Sequence, residues 1–183
     1  MKHLDHLPSC ACGGSGSTVD RRWLLRGGAA AAVMLTATPL PALAVGGNYE
    51  AMILACIDPR LQDPVHAYAA KRNLIGKYSQ FVIAGAAIGV VSPKFADWHK
   101  TFWDNLAVTI QLHQIKRVIA IDHRDCGAAA IAYGQDAVAT PTKETETHRE
   151  ALARFRKEVG ERQPTIGVEM ILMALDGSVV VFG

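Results

Sequence analysis

Two short runs, Met52-Ile53-Leu54-Ala55-Cys56-Ile57 and Val118-Ile119-Ala120-Ile121, are apolar without a break. A strand with one face in water alternates apolar and polar residues, so these two are strands covered on both faces, as in a parallel sheet flanked by helices. The intervening segments fit that architecture. Asp63-Pro64 opens a helix through about Asn73, with proline at a position where its missing N–H costs nothing. Tyr78 to Ala86 reads as a second strand that runs into a small-residue loop, Gly85 to Gly89. Phe95, Trp98, Phe102, Leu106, Ile110 and His113 recur at three- and four-residue steps and predict a long amphipathic helix to about Gln114. Lys116-Arg117 follow near the negative end of its dipole.

The third strand is expected to end at Asp122, and a further helix to run from Cys126 to Tyr133 and stop near Gly134. Glu144 to Glu161 predicts an exposed helix ended by Gln163-Pro164. Val168 to Ala174 and Val179 to Phe182 read as two more strands, joined through Asp176-Gly177, a pair suited to a tight hairpin turn. The predicted fold class is α/β: a mainly parallel central sheet, helices on both faces, and an antiparallel C-terminal edge strand.

The first 44 residues differ in kind. Asp20-Arg21-Arg22-Trp23-Leu24-Leu25-Arg26 precedes an Ala-rich apolar stretch from Gly27 to Pro39, followed by Ala42-Leu43-Ala44. This is the layout of a signal peptide; the paired arginines resemble a twin-arginine export signal, and Ala42-Leu43-Ala44 an A-x-A cleavage site. The expectation is a signal over 1–44, a mature domain over 45–183, and a periplasmic or otherwise exported bacterial protein. A membrane anchor is the competing reading; Gly27-Gly28, Pro39 and Pro41 leave the stretch short of the ~20 apolar residues of a span. Removing Lys2, Arg21, Arg22 and Arg26 from 19 basic residues, and Asp5 and Asp20 from 17 acidic ones, leaves 15 of each. A neutral domain without a basic stripe gives no support for nucleic acid as a partner.

Of four cysteines, Cys10 and Cys12 lie in the presumed signal, so the mature domain keeps Cys56 and Cys126. In an oxidising compartment a disulfide is the default for such a pair. Their neighbours argue for a metal. Loops at the carboxyl ends of parallel strands converge on one edge. Cys56 ends the first strand, His123 the third, and Cys126 begins a helix one turn later. If those strands are neighbours, the three side chains face one small volume. A helix start also favours a thiolate at Cys126. A Cys₂His set with no fourth ligand in line is the composition of an open, catalytic zinc site. In Cys56-Ile57-Asp58-Pro59-Arg60, Asp58 can reach the metal or its water, and Arg60 can clamp Asp58 and keep it ionised. A surface Asp–Arg pair on a turn is the plainer alternative.

Cys56-x-Asp58-x-Arg60 together with His123-x-x-Cys126-Gly127 resembles the β-class carbonic anhydrase family in order and spacing, and Met173 to Val179 is similar to the family's closing hairpin. The resemblance implies one Zn²⁺ per chain on Cys56, His123 and Cys126, with the Asp58–Arg60 dyad orienting the water that attacks. It implies reversible hydration of carbon dioxide to bicarbonate by a metal-bound hydroxide, and a homodimer or higher homo-oligomer. Where many members carry Arg-Asn-Ala-Gly, this chain has Val82-Ile83-Ala84-Gly85, and little chain separates Val45 from the first strand. A reduced or different subunit interface is the expected consequence.

Three rivals share the site. Hydrolysis of carbonyl sulfide or carbon disulfide needs the same chemistry, with Trp98, Phe102 and Trp103 lining an apolar tunnel; a role in the core is the simpler reading of those aromatics. The others are a non-catalytic zinc-binding or interaction protein, and a redox pair of Cys56 with Cys126. His66, His99, His113 and His148 lie in no motif and read as surface or packing residues. Arg124 and Asp125, between two ligands, either support the site or face water.

Overall fold

The computed structural model describes residues 47–183; the predicted signal over 1–44 lies outside the described residues. Five strands, β1 (Ala51–Ala55), β2 (Tyr78–Val82), β3 (Arg117–His123), β4 (Gly167–Met173) and β5 (Val179–Phe182), form one sheet in the order β2-β1-β3-β4-β5. All neighbours are parallel except β4 and β5, which are antiparallel. Five helices, α1 (Gln62–Lys71), α2 (Ala87–Val91), α3 (Ala96–His113), α4 (Gly127–Tyr133) and α5 (Pro141–Arg162), cover both faces. This is the expected fold class. Every residue of β1 is buried, and all of β3 after Arg117, which explains their unbroken apolar sequence.

The two central strands are direct neighbours, with Ala55 paired to Ile121. That register sets the end of β1 beside the end of β3. The hairpin between β4 and β5 turns at Gly177, whose φ of 84° lies in the left-handed region that glycine adopts without a Cβ clash. Ser178 N–H donates to the Asp176 side chain there.

Three elements depart from their predicted extents. β2 stops at Val82 rather than Ala86, because the chain turns where Ala86 N–H reaches back to the Ile83 carbonyl at 3.0 Å. Residues 85–89 are then only half a loop, since α2 starts at Ala87. Its first amide donates to Asp122 Oδ1 at 2.9 Å, a cap supplied by a different strand and invisible to local sequence. Gly89 within α2 lies against the preceding turn: a Cβ there would sit 2.4 Å from the Ala84 carbonyl oxygen.

α5 begins at Pro141, capped by Thr140 Oγ1 accepting from Lys143 N–H, and it is not an exposed helix. Glu144, His148, Ala151, Leu152, Phe155 and Val159 form a buried stripe at helical spacing along it. Apart from Glu144, the charged residues that dominate its sequence lie outside that stripe. Phe102 and Trp103 of α3 belong to this core, whereas Trp98 is exposed. Phe102 is fully buried and packs edge-on against Phe81 and Phe155, each at 5.4 Å between centroids. Trp103 packs on the same cluster, and Trp98 stacks on Phe95.

Candidate metal centre

Cys56 follows the last residue of β1, His123 is the last residue of β3, and Cys126 is the N-cap of α4. One candidate ligand atom from each lies within 4.8 Å of the other two, and all three residues are buried. Both cysteines are free. The ring tautomer of His123 follows from its contacts. Nδ1 lies 2.8 Å from the Arg124 carbonyl oxygen, which can only accept, so Nδ1 carries the proton. In the neutral ring Nε2 keeps its lone pair, buried and without a hydrogen-bond partner. A buried lone pair beside two buried sulfurs fits a thiophilic metal ion such as Zn²⁺, and an unpaired polar atom is otherwise costly.

The Cys126 thiol donates toward Cys56, and together with His123 and the Gly85 N–H, 3.2 Å from Cys56 Sγ, this outweighs burial and pulls the Cys56 pKa down to about 4. The Cys126 thiol is pushed up by that hydrogen bond, by burial and by the Cys56 charge. A divalent cation held by both sulfurs would take them as thiolates, so binding there would release protons. Burial acts to lower the His123 pKa, but the Cys56 sulfur beside it outweighs burial and the net direction is upward.

Asp58 and Arg60 form the clamp that their spacing predicted. Arg60 Nε donates to Oδ1 at 3.0 Å and Nη2 to Oδ2 at 2.6 Å, while the Arg60 backbone N–H donates to Oδ1 at 2.9 Å in the tight turn Pro59–Leu61. The Arg60 side chain, followed by its backbone N–H, holds the Asp58 carboxyl at about 2, below the usual carboxylate range.

The guanidinium has a second acid that the sequence left open. Arg60 Nη1 donates to Asp125 Oδ2 at 2.6 Å and Nη2 to the Asp125 carbonyl at 3.1 Å. Asp125 has a φ of 58°, and its N–H donates to Glu144 Oε1 at 2.6 Å. The other Glu144 oxygen accepts from Arg124 Nη1 at 3.0 Å, and Arg124 Nη2 donates to Thr145 Oγ1. Arg124 and Asp125 thus tie the loop between His123 and Cys126 to the first turn of α5 on one side and to Arg60 on the other. Glu144 is the residue that sequence reasoning missed. The Thr140-Pro141 cap places it in the first turn of a helix, but only the fold turns that helix toward the loop.

A cleft of about 700 Å³ opens on this cluster, lined by Asp58, Arg60, Asp125, Cys126, Gln135 and Glu144 among others. Trp98, Phe102 and Trp103 do not line it. Of the remaining histidines, His99 and His113 make single polar contacts, to the Ser92 carbonyl and to Ser79 Oγ. His148 is a packing residue rather than a surface one: it is fully buried, with Nδ1 2.8 Å from Asp122 Oδ2. Among the described residues no helix is long and apolar enough to cross a membrane.

The fold and the cluster define a class: an α/β protein able to hold a metal ion by a Cys–His–Cys set at the carboxyl edge of a parallel sheet. Comparison with known proteins narrows this. Residues 47–180 match the model of a family described as "Putative carbonic anhydrase". An uncharacterized protein of Rickettsia bellii is 34% identical over 126 residues, covering 69% of this chain and 77% of its own. One from Rickettsia conorii is 33% identical over 128 residues, covering 70% and 69%. Among solved structures, the Coccomyxa β-carbonic anhydrase in complex with acetazolamide superposes with a TM-score of 0.51 at 16% identity, over 76% of this chain and 74% of that one. This chain belongs to that carbonic anhydrase family and has the β-carbonic anhydrase fold.

Proposed function

We propose that this protein is a zinc lyase that interconverts carbon dioxide and bicarbonate, with Cys56, His123 and Cys126 holding one Zn²⁺ per chain. The observation that carries this reading is the buried, unpartnered His123 Nε2 beside two free, buried sulfurs, with a carboxylate–guanidinium clamp lining the same cleft as Cys126. When bound, the metal supplies a Lewis acid that makes water a nucleophile near neutral pH.

The chain's own residues do the positioning. Asp58, kept ionised by Arg60, is an acceptor that orients the O–H of an incoming water and turns its lone pair toward the substrate carbon. Arg60 is committed to Asp58 on one edge and to Asp125 on the other, so it fixes the carboxylate rather than titrating. The Arg124 carbonyl holds His123 in the tautomer that leaves Nε2 free.

Metal analysis of the purified protein, with hydration of carbon dioxide assayed beside hydrolysis of carbonyl sulfide and carbon disulfide, tests the proposal. The expected result is about one zinc per chain and turnover of carbon dioxide. Bound zinc with turnover only of the sulfur substrates would redirect it, and zinc with no turnover would make the protein a non-catalytic binder. Export by the twin-arginine route, with residues 1–44 removed, belongs to the same proposal, because that route carries folded proteins whose thiolates a metal already protects. A chain that stays uncleaved and cytoplasmic would refute it. The exposed Ile57 and Ile131, on the elements that carry the cysteines, support a homo-oligomer, to be read by light scattering.

A further inference from the structure

Asp122 directly precedes His123, yet strand alternation sends the two side chains to opposite faces of β3. Nothing in the proposed reaction uses Asp122. It is nevertheless a fully buried carboxylate with both oxygens engaged: Oδ2 with His148 Nδ1 at 2.8 Å, and Oδ1 with the Ala87 N–H at 2.9 Å. His148 is equally buried, on the inner stripe of α5. A buried carboxylate needs such partners, but an apolar pair of similar volume would serve the core at least as well. The arrangement makes sense through what it holds in place.

Ala87 ends a turn that local sequence does not favour. Gly85 has a φ of 78° and Ala86, which carries a Cβ, has a φ of 48°. Such a conformation persists when surrounding contacts over-determine it. At the far end of this turn, the Gly85 N–H points at Cys56 Sγ, 3.2 Å away. Three hydrogen bonds therefore run in series from α5 to the site: His148 to Asp122, Asp122 to the Ala87 amide, and, two residues back along the turn, the Gly85 amide to the Cys56 sulfur. A hydrogen bond donated to a thiolate withdraws electron density from it and fixes its direction, which are the two properties that a metal bond to that sulfur depends on.

We propose that Asp122, itself held by His148, is a positioning residue for the Cys56 sulfur, acting through the backbone of 85–87. The inference rests on the reading of Cys56, His123 and Cys126 as metal ligands. The probe is Co²⁺ added to the full-length protein, followed by its thiolate-to-cobalt charge-transfer absorption and by chelator competition, with hydrogen exchange of the Gly85 and Ala87 amides as an independent local readout. Asp122→Ala is expected to weaken Co²⁺ binding by about 10–100-fold, to shift the charge-transfer band and to speed exchange at those two amides. Asp122→Asn keeps an oxygen for the Ala87 N–H and is expected to hold the band and the exchange rates near wild type. If Asp122→Ala does not fold, His148→Leu, which removes the other support of Asp122, is expected to change the same readouts in the same direction by several-fold. Wild-type protein that gives no charge-transfer band would overturn the ligand reading and the inference with it. A wild-type band unchanged in Asp122→Ala, or in His148→Leu where that variant is the one read, would overturn the inference alone, as would equal damage in the Ala and Asn variants.

Discussion

Replacing Glu144 with alanine tests whether the loop between His123 and Cys126 is held from α5. Glu144 is buried and makes two bonds of unequal worth. Its Oε1 accepts the Asp125 N–H at 2.6 Å, and losing a buried, charge-assisted partner for a backbone amide costs about 1–3 kcal/mol. Its Oε2 pairs with Arg124, whose side chain is 30% exposed, so solvent screening limits that contribution to about 0–1 kcal/mol. Asp125 also sits at a φ of 58°, and without the tether nothing on the α5 side opposes its relaxation. The expected loss for Glu144→Ala is therefore about 1–4 kcal/mol. Urea unfolding of the full chain reads this as a lower midpoint at unchanged slope. Glu144→Gln retains a neutral acceptor and should lose only about 1 kcal/mol, since hydrogen bonds to charged groups are roughly twice as strong. The tether does not exist if the alanine variant lies within about 0.5 kcal/mol of wild type, the range of an unremarkable surface substitution, or if the two variants are equally damaged.

Arg60→Gln should let the Asp58 carboxyl, held at about 2, titrate closer to its ordinary 3.8. A depressed carboxylate pKa adds stability that is fully present above about 4 and fades as pH falls toward 2, so the variant should lose this acid-side increment. Carboxyl-carbon NMR gives the pKa directly, and an unshifted Asp58 resonance would contradict the clamp. Removing the metal with a chelator should lower the melting temperature of wild type, by an amount corresponding to about 2.7 kcal/mol if free zinc stands at 100 times Kd. Cys126→Ser should melt at one temperature with or without chelator, and a retained response would show that the metal sits elsewhere. Gly89→Ala places a methyl group 2.4 Å from the Ala84 carbonyl and should cost about 1–3 kcal/mol, measured by thermal unfolding, with no change if the turn has room to shift.

The sequence by itself determined the strands and their order of appearance, and it singled out the five positions of the candidate site. That was possible because each signal is local or nearly so: unbroken apolar runs for β1 and β3, three- and four-residue spacing for α3, Asp-Gly for the last hairpin, and Cys-x-Asp-x-Arg with His-x-x-Cys for the cluster. The Asp58–Arg60 clamp is a two-residue contact and could be read directly. Three features were beyond that reach. Residues 85–89 looked like a loop because the cap that starts α2 comes from Asp122, 35 positions away. α5 looked exposed because its charged residues outnumber a buried stripe that only packing against the sheet reveals. Its Glu144 looked like a surface group and its His148 like a surface or packing residue, yet they hold the loop at Arg124 and Asp125 and the Asp122 carboxyl from within. Local periodicity reports which face of an element is apolar. Which polar groups on that face find a partner depends on the register of β1 against β3 and on the rotation of α5 over them, and those are properties of the packed chain alone.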